Sequence, residues 1–117
     1  MAKIVVVEDE SLILMVVVDL LEELGHEVVD FVNAETALNY IGKGNQFDIL
    51  MTDMNLPKMS GRELAEQLRE LTPDLPVIFA TGYVIGRDDR LSAPFSCVSK
   101  PYWSDNLKTA IGEVWTK

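Results

Sequence analysis

The chain has 117 residues, enough to bury one core and too few for two ordinary domains, so a single domain spanning residues 1–117 is expected. Hydrophobic residues make up 48% and charged residues 25%, which excludes a disordered chain; a net charge of -9 argues against direct binding to nucleic acid or an anionic membrane, whose phosphates are held by Lys and Arg. No apolar run approaches the roughly 20 residues of a membrane span, no basic stretch leads a removable apolar segment, and Cys97, the single cysteine, has no internal disulfide partner, so a cytoplasmic protein is expected.

Lys3, Ile4, Val5, Val6 and Val7 form a nearly continuous β-branched run, the pattern of a strand buried on both faces of a parallel sheet. It stops at Glu8-Asp9-Glu10. Ile13, Val16, Val17, Leu20 and Leu24 then recur at helical spacing, with Gly25 as a stop. His26 follows as a solvated loop residue. Residues 27 to 31 read as a strand, and Ala34, Ala37, Leu38 and Ile41 as one face of a helix closed by Gly42-Lys43-Gly44. Residues 47 to 52 restore a strand.

Ser60 is a plausible N-cap, with Glu63 at the reciprocal capping position, for a helix turning Leu64, Leu68 and Leu71 inward and ending at Thr72-Pro73. Residues 76 to 80 and 95 to 99 read as two more strands, separated by a polar, Gly-containing stretch over 82 to 94 in which any helix is short. From about Ser104, residues Leu107, Ala110, Ile111 and Val114 return to the helical period. Five strands alternating with helices imply an α/β fold: a doubly wound, five-stranded parallel sheet with helices on both faces.

In such sheets ligands bind beyond the carboxyl ends of the strands. Those ends carry Glu8-Asp9, Asp53, Thr81 and Lys100. An acid at one strand end is ordinarily just solvated, but four polar or charged sites converging on one rim is a pattern with chemistry in it. Crowded carboxylates repel unless a cation lies between them, and an all-oxygen cluster suits Mg²⁺. Formally, Glu8, Asp9 and Asp53 carry -3, which Mg²⁺ and the Lys100 ammonium balance. A phosphoryl group added there finds partners in the metal, Lys100 and the Thr81 hydroxyl.

On these residues the whole chain resembles a response-regulator receiver domain, the CheY-like, flavodoxin-like module of two-component phosphorelays. The resemblance implies that Asp53, within Thr52-Asp53-Met54-Asn55-Leu56-Pro57, is the phosphoacceptor, and that Asp9 and the backbone carbonyl of Asn55 bind Mg²⁺, with Glu8 acting through water. Thr81 matches the hydroxyl residue that moves toward the phosphoryl group, and Lys100-Pro101 the family's Lys before a cis proline. It implies a histidine kinase or histidine phosphotransfer protein as donor, and a switch of protein contacts rather than a conventional enzyme, with modest self-phosphorylation and self-dephosphorylation.

Two positions depart from the family pattern. Glu8 stands where an aspartate is usual, and Cys97 where an aromatic residue three before the lysine is usual. Cys97 reads as a small buried residue. Phe79-Ala80-Thr81-Gly82-Tyr83 resembles a subfamily marked by Phe-Ala-Thr-Gly with a nearby Tyr, so ordering of residues 82 to 94 is the expected readout. Trp103 and Trp115 read as packing at the edge of the last helix, and Met51, Met54 and Met59 as core and loop filling.

The alternatives fit less well. An aspartyl-nucleophile phosphatase needs a second acid where Asn55 stands, and a nucleotide-binding domain needs a Gly-rich loop where Glu8-Asp9-Glu10 stands. A pseudo-receiver acting as a phosphorylation-independent binding module is the remaining alternative, disfavoured by the intact Asp53, Thr81 and Lys100.

Overall fold

In the chain's computed structural model, which describes residues 2–54, 56–81, 95–99 and 104–115, strands and helices alternate. In chain order they are β1 (Lys3–Val7), α1 (Ser11–Glu23), β2 (Glu27–Phe31), α2 (Ala34–Gly42), β3 (Ile49–Asp53), α3 (Gly61–Leu71), β4 (Val77–Thr81), β5 (Phe95–Ser99) and α4 (Ser104–Val114). All pairs are parallel and the sheet order is β2-β1-β3-β4-β5. The doubly wound flavodoxin-like topology is therefore as expected. Two strands are displaced from the sequence reading: β3 starts at Ile49 and runs through Asp53, and β4 runs from Val77 through Thr81.

Successive side chains alternate between the two faces of the sheet. Ile4, Val6, Ile49, Met51, Ile78 and Ala80 face one core layer with Leu14, Val17 and Leu21 of α1 and Leu107, Ala110 and Ile111 of α4. Val5, Val7, Leu50, Val77 and Phe79 face the other with Ala34 and Ala37 of α2 and Leu64, Ala65 and Leu68 of α3. Met51 is core, while Met54, Met59 and Trp115 pack part-buried at the layer edges, as expected.

Three sequence expectations change. In α1 the buried stripe is Leu14, Val17 and Leu21, whereas Val16, expected to face inward, is 50% exposed. The helix is apolar nearly all round, so periodicity alone does not choose its inner face. Leu71, also expected inward, is 74% exposed as the last residue of α3. His26 is not a solvated loop residue: its ring is half-buried and accepts a hydrogen bond from the Ala2 N–H.

Side-chain caps fix where α2 and α3 begin. Asn33 accepts from the Thr36 N–H at 2.8 Å at the start of α2, and Ser60 accepts from the Glu63 N–H at 3.2 Å at the start of α3. The Glu63 carboxylate accepts from the Ser60 hydroxyl at 3.3 Å, completing the contact expected of this pair in another form. At the far end of α3, the Arg69 guanidinium donates twice to the Leu75 carbonyl, at 3.2 and 3.0 Å, which ties the helix to the approach to β4.

Candidate functional site: an acidic cluster at the strand ends

The order of the sheet reverses between β1 and β3, the position at which the loops leaving the two strands part and leave a crevice. Both strands deliver an acid there. Asp53 is the last residue of β3, in phase with Ile49 and Met51, and Glu8 follows β1 in phase with Ile4 and Val6. Two-residue periodicity therefore sends both carboxylates to the α1 side of the sheet.

The Glu8 N–H donates to the Phe31 carbonyl at 3.0 Å, so the β1–β2 ladder holds this residue in place beyond the strand. Its side chain is buried and accepts from the Glu10 N–H at 3.2 Å. Asp9 is exposed, and Asp53 is buried at 6% exposure. One carboxylate oxygen from each of Glu8, Asp9 and Asp53 lies within 4.8 Å of the others. These are the acids that stand at the carboxyl ends of β1 and β3.

Such a set fits a hard divalent cation. In an octahedral Mg²⁺ shell with bonds of about 2.1 Å, no two ligand oxygens lie more than about 4.2 Å apart. Three carboxylate oxygens within 4.8 Å of one another could be shared by one such cation, directly or through its water. The donors are all oxygen and carry the charge a cation would neutralise.

The loop after Asp53 is held on both sides. The Met54 N–H donates to the Ala80 carbonyl at 3.1 Å, and the Met54 carbonyl accepts from the Gly61 N–H at 3.1 Å. Between these, the Met59 N–H donates to the Pro57 carbonyl at 2.8 Å across Lys58, whose φ is 69°, a tight γ-turn with a left-handed residue at its centre. Gly61 is a residue the sequence reading passed over. A Cβ there would fall onto the Asp53 carbonyl oxygen, with the carbonyl carbon 2.9 Å and Met54 Cα 3.1 Å away. Nothing local in the sequence announces this approach; the spacing of a Gly next to the cap Ser60 is the only trace.

Thr81 ends β4, paired with Ser99 of β5, so its backbone reaches the same rim. The Thr81 and Cys97 side chains, Asn55, Lys100, Pro101, Trp103 and residues 82 to 94 lie outside the described residues. Among the described residues, no helix is long and apolar enough to cross a membrane.

Known proteins resemble this chain along its whole length. The response regulator receiver protein CpdR of Brucella abortus is 30% identical over 117 residues, covering 97% of this chain and 94% of that protein. The sensor histidine kinase RcsC of Salmonella typhi is 32% identical over 111 residues, covering 92% of this chain; the sensor kinase CckA of Brucella abortus is 31% identical over 120 residues, covering 99%. The chain spans only 12% and 13% of those two kinases. Among solved structures, a response regulator receiver domain protein of Clostridium thermocellum superposes with a TM-score of 0.83 at 32% identity, covering 97% of this chain and 94% of that one. The response regulator TrrA of Thermotoga maritima, solved with Mg²⁺ and BeF, gives 0.83 at 30% identity, covering 97% and 99%. Residues 4–112 match the response regulator receiver domain profile, and with the sheet order and the relatives in agreement, the chain belongs to that family of two-component signalling domains.

Proposed function

We propose that this chain is a phosphoacceptor switch in which Asp53 takes a phosphoryl group, with Mg²⁺ bound by Glu8, Asp9, Asp53 and the Asn55 carbonyl. The observation that carries the reading is the gathering of the Glu8, Asp9 and Asp53 carboxylates within 4.8 Å at the point where the sheet order reverses. When bound, the cation neutralises charge on the transferring group and on the acids around it.

An Asp53 carboxylate oxygen attacks the phosphorus of a phosphohistidine in line. An O–P bond forms, the N–P bond breaks, and its electron pair leaves with the imidazole nitrogen. The Lys100 ammonium and Thr81 hydroxyl take the new phosphoryl oxygens as partners, and hydrolysis of the acyl phosphate later restores Asp53. The chain positions and neutralises; it is a switch rather than a conventional enzyme.

The donor is a histidine kinase or histidine phosphotransfer protein. On α1, Leu12 and Met15 are 77% and 62% exposed, and with Val16 they form an apolar row that starts one turn from Asp9. A donor seated on that row has its phosphohistidine at the acidic rim, which is the occupant the row's position favours.

The test is incubation with Mg²⁺ and acetyl phosphate, read by intact mass. A gain of one phosphoryl group is expected, and none in Asp53→Asn. A wild-type chain that stays unmodified with acetyl phosphate and with phosphorylated kinases leaves the binding-module reading in its place.

A further inference from the structure

At the opposite end of the sheet, α1 closes with a Schellman turn. Gly25, at φ 93°, donates its N–H to the Glu22 carbonyl at 3.0 Å, and the His26 N–H donates to the Leu21 carbonyl at 3.1 Å. This folds the imidazole back against the start of β1. The Ala2 N–H donates to His26 Nδ1 at 3.0 Å, while the buried Ala2 takes the Glu27 N–H on its carbonyl, also at 3.0 Å. The other side of the ring meets Trp115 edge-on, with centroids 6.2 Å apart and planes at 76°. Trp115 follows α4, donates its N–H to the Ile111 carbonyl at 2.8 Å and packs on the core layer containing Ala110, Ile111 and Val114. One imidazole thus joins its own turn to two segments distant in sequence.

Nδ1 accepts only while it carries no proton. The Ala2 bond therefore selects the neutral ring with its hydrogen on Nε2. A proton added at Nδ1 turns the acceptor into a donor facing a backbone donor, and the bond is lost. The surrounding charges favour the neutral ring. Lys108 of α4 lines the groove shared by His26 and Trp115, and the chain's α-amino charge also disfavours a proton on the imidazole. Among the described residues no acid lines that groove: Glu22 and Glu23 of α1 and Glu113 of α4 are exposed, and the Glu27 carboxylate of β2 lies 3.7 Å from Lys3 Nζ. Burial, and then the α-amino charge, push His26 below its ordinary 6.5.

We propose that His26 is a proton-operated clasp: neutral, it holds the start of β1 and the end of α4 to the α1–β2 turn, and protonated at Nδ1 it releases them. The clasp stands independently of the phosphoacceptor reading. The unfolded chain, with an ordinary imidazole, takes up the proton first as pH falls. The clasp's contribution to stability is therefore complete above 6.5 and is lost as pH falls through the lowered folded value.

An NMR titration of the 117-residue chain from about pH 8 to about pH 5 tests this. The His26 ring is expected to titrate below 6.5, with the Trp115 indole resonance moving at the same midpoint. Protection of the Glu27 amide, corrected for intrinsic exchange, is lost as the pH falls through that midpoint. His26→Asn, whose Oδ1 takes the Ala2 N–H without titrating, keeps that bond though not the ring contact, and flattens both responses. An ordinary or raised His26 midpoint, a Trp115 indole that ignores it, or an unchanged transition in His26→Asn overturns the clasp. The wild-type titration decides the matter even if the variant fails to fold.

Discussion

Two residues beside Asp53 work through backbone geometry. At Gly61 an added methyl meets main-chain atoms of Asp53 and Met54, which have no rotamer to change, so the helix or the strand end must shift. Gly61→Ala is expected to lose about 1–3 kcal/mol of stability, measured by urea unfolding. Lys58 presents the opposite case. Its φ of 69° holds a residue with a Cβ in the left-handed region, at a cost of about 1 kcal/mol or more. Lys58→Gly relieves that cost but adds freedom to the unfolded chain, leaving a net gain of about 0.5 kcal/mol, seen as a higher urea midpoint with unchanged slope.

At the scale of elements, α1 is a helix with two apolar sides. Leu21 is fully buried, so Leu21→Ala is expected to cost about 2–5 kcal/mol. Leu12→Asp, on the exposed side, should change stability by no more than about 0.5 kcal/mol while slowing phosphotransfer from a protein donor. Its labelling by acetyl phosphate should match wild type, because that donor needs no docking surface. Equal slowing with both donors would remove α1 from the docking site.

The same helix marks the limit of what the sequence discloses. α2 and α4 declare their faces, since Ala34 and Ala37 of the one and Leu107, Ala110, Ile111 and Val114 of the other recur at helical spacing and are the residues buried. α1 offers apolar residues on every side, and only the packing of the sheet and α4 selects Leu14, Val17 and Leu21. At the rim, Glu8, Asp9 and Asp53 were legible because each directly follows or ends an apolar run. Gly61 and His26 were not, because their significance lies in partners supplied by other segments: the Asp53 carbonyl for one, Ala2 and Trp115 for the other.

For the whole molecule, the dominant electrostatic fact is an excess of negative charge, -9 over the chain, concentrated in part where Glu8, Asp9 and Asp53 meet. Repulsion among these acids is a standing cost to the folded state that a bound divalent cation removes. Millimolar Mg²⁺ should therefore raise the thermal midpoint beyond what NaCl of equal ionic strength achieves. The gain reaches about 2.7 kcal/mol when the cation is a hundredfold above its Kd. Asp53→Asn should raise stability in the absence of the cation and shrink the response to it. A midpoint that moves equally with Mg²⁺ and NaCl would mean that screening alone is at work.

The Gly61 contact has a consequence for how such a domain transmits a signal. With the Asp53 peptide pressed against the first residue of α3, and Met54 bonded to Ala80 on one side and to Gly61 on the other, the end of β3 has no room to recoil. In the proposed switch, new charge on the Asp53 carboxylate would meet a fixed abutment, and displacement is expected to pass outward, to the strand ends facing it across the crevice. The Met54 and Gly61 amides should accordingly stay slow to exchange before and after phosphorylation, serving as the stationary reference against which movement elsewhere is measured.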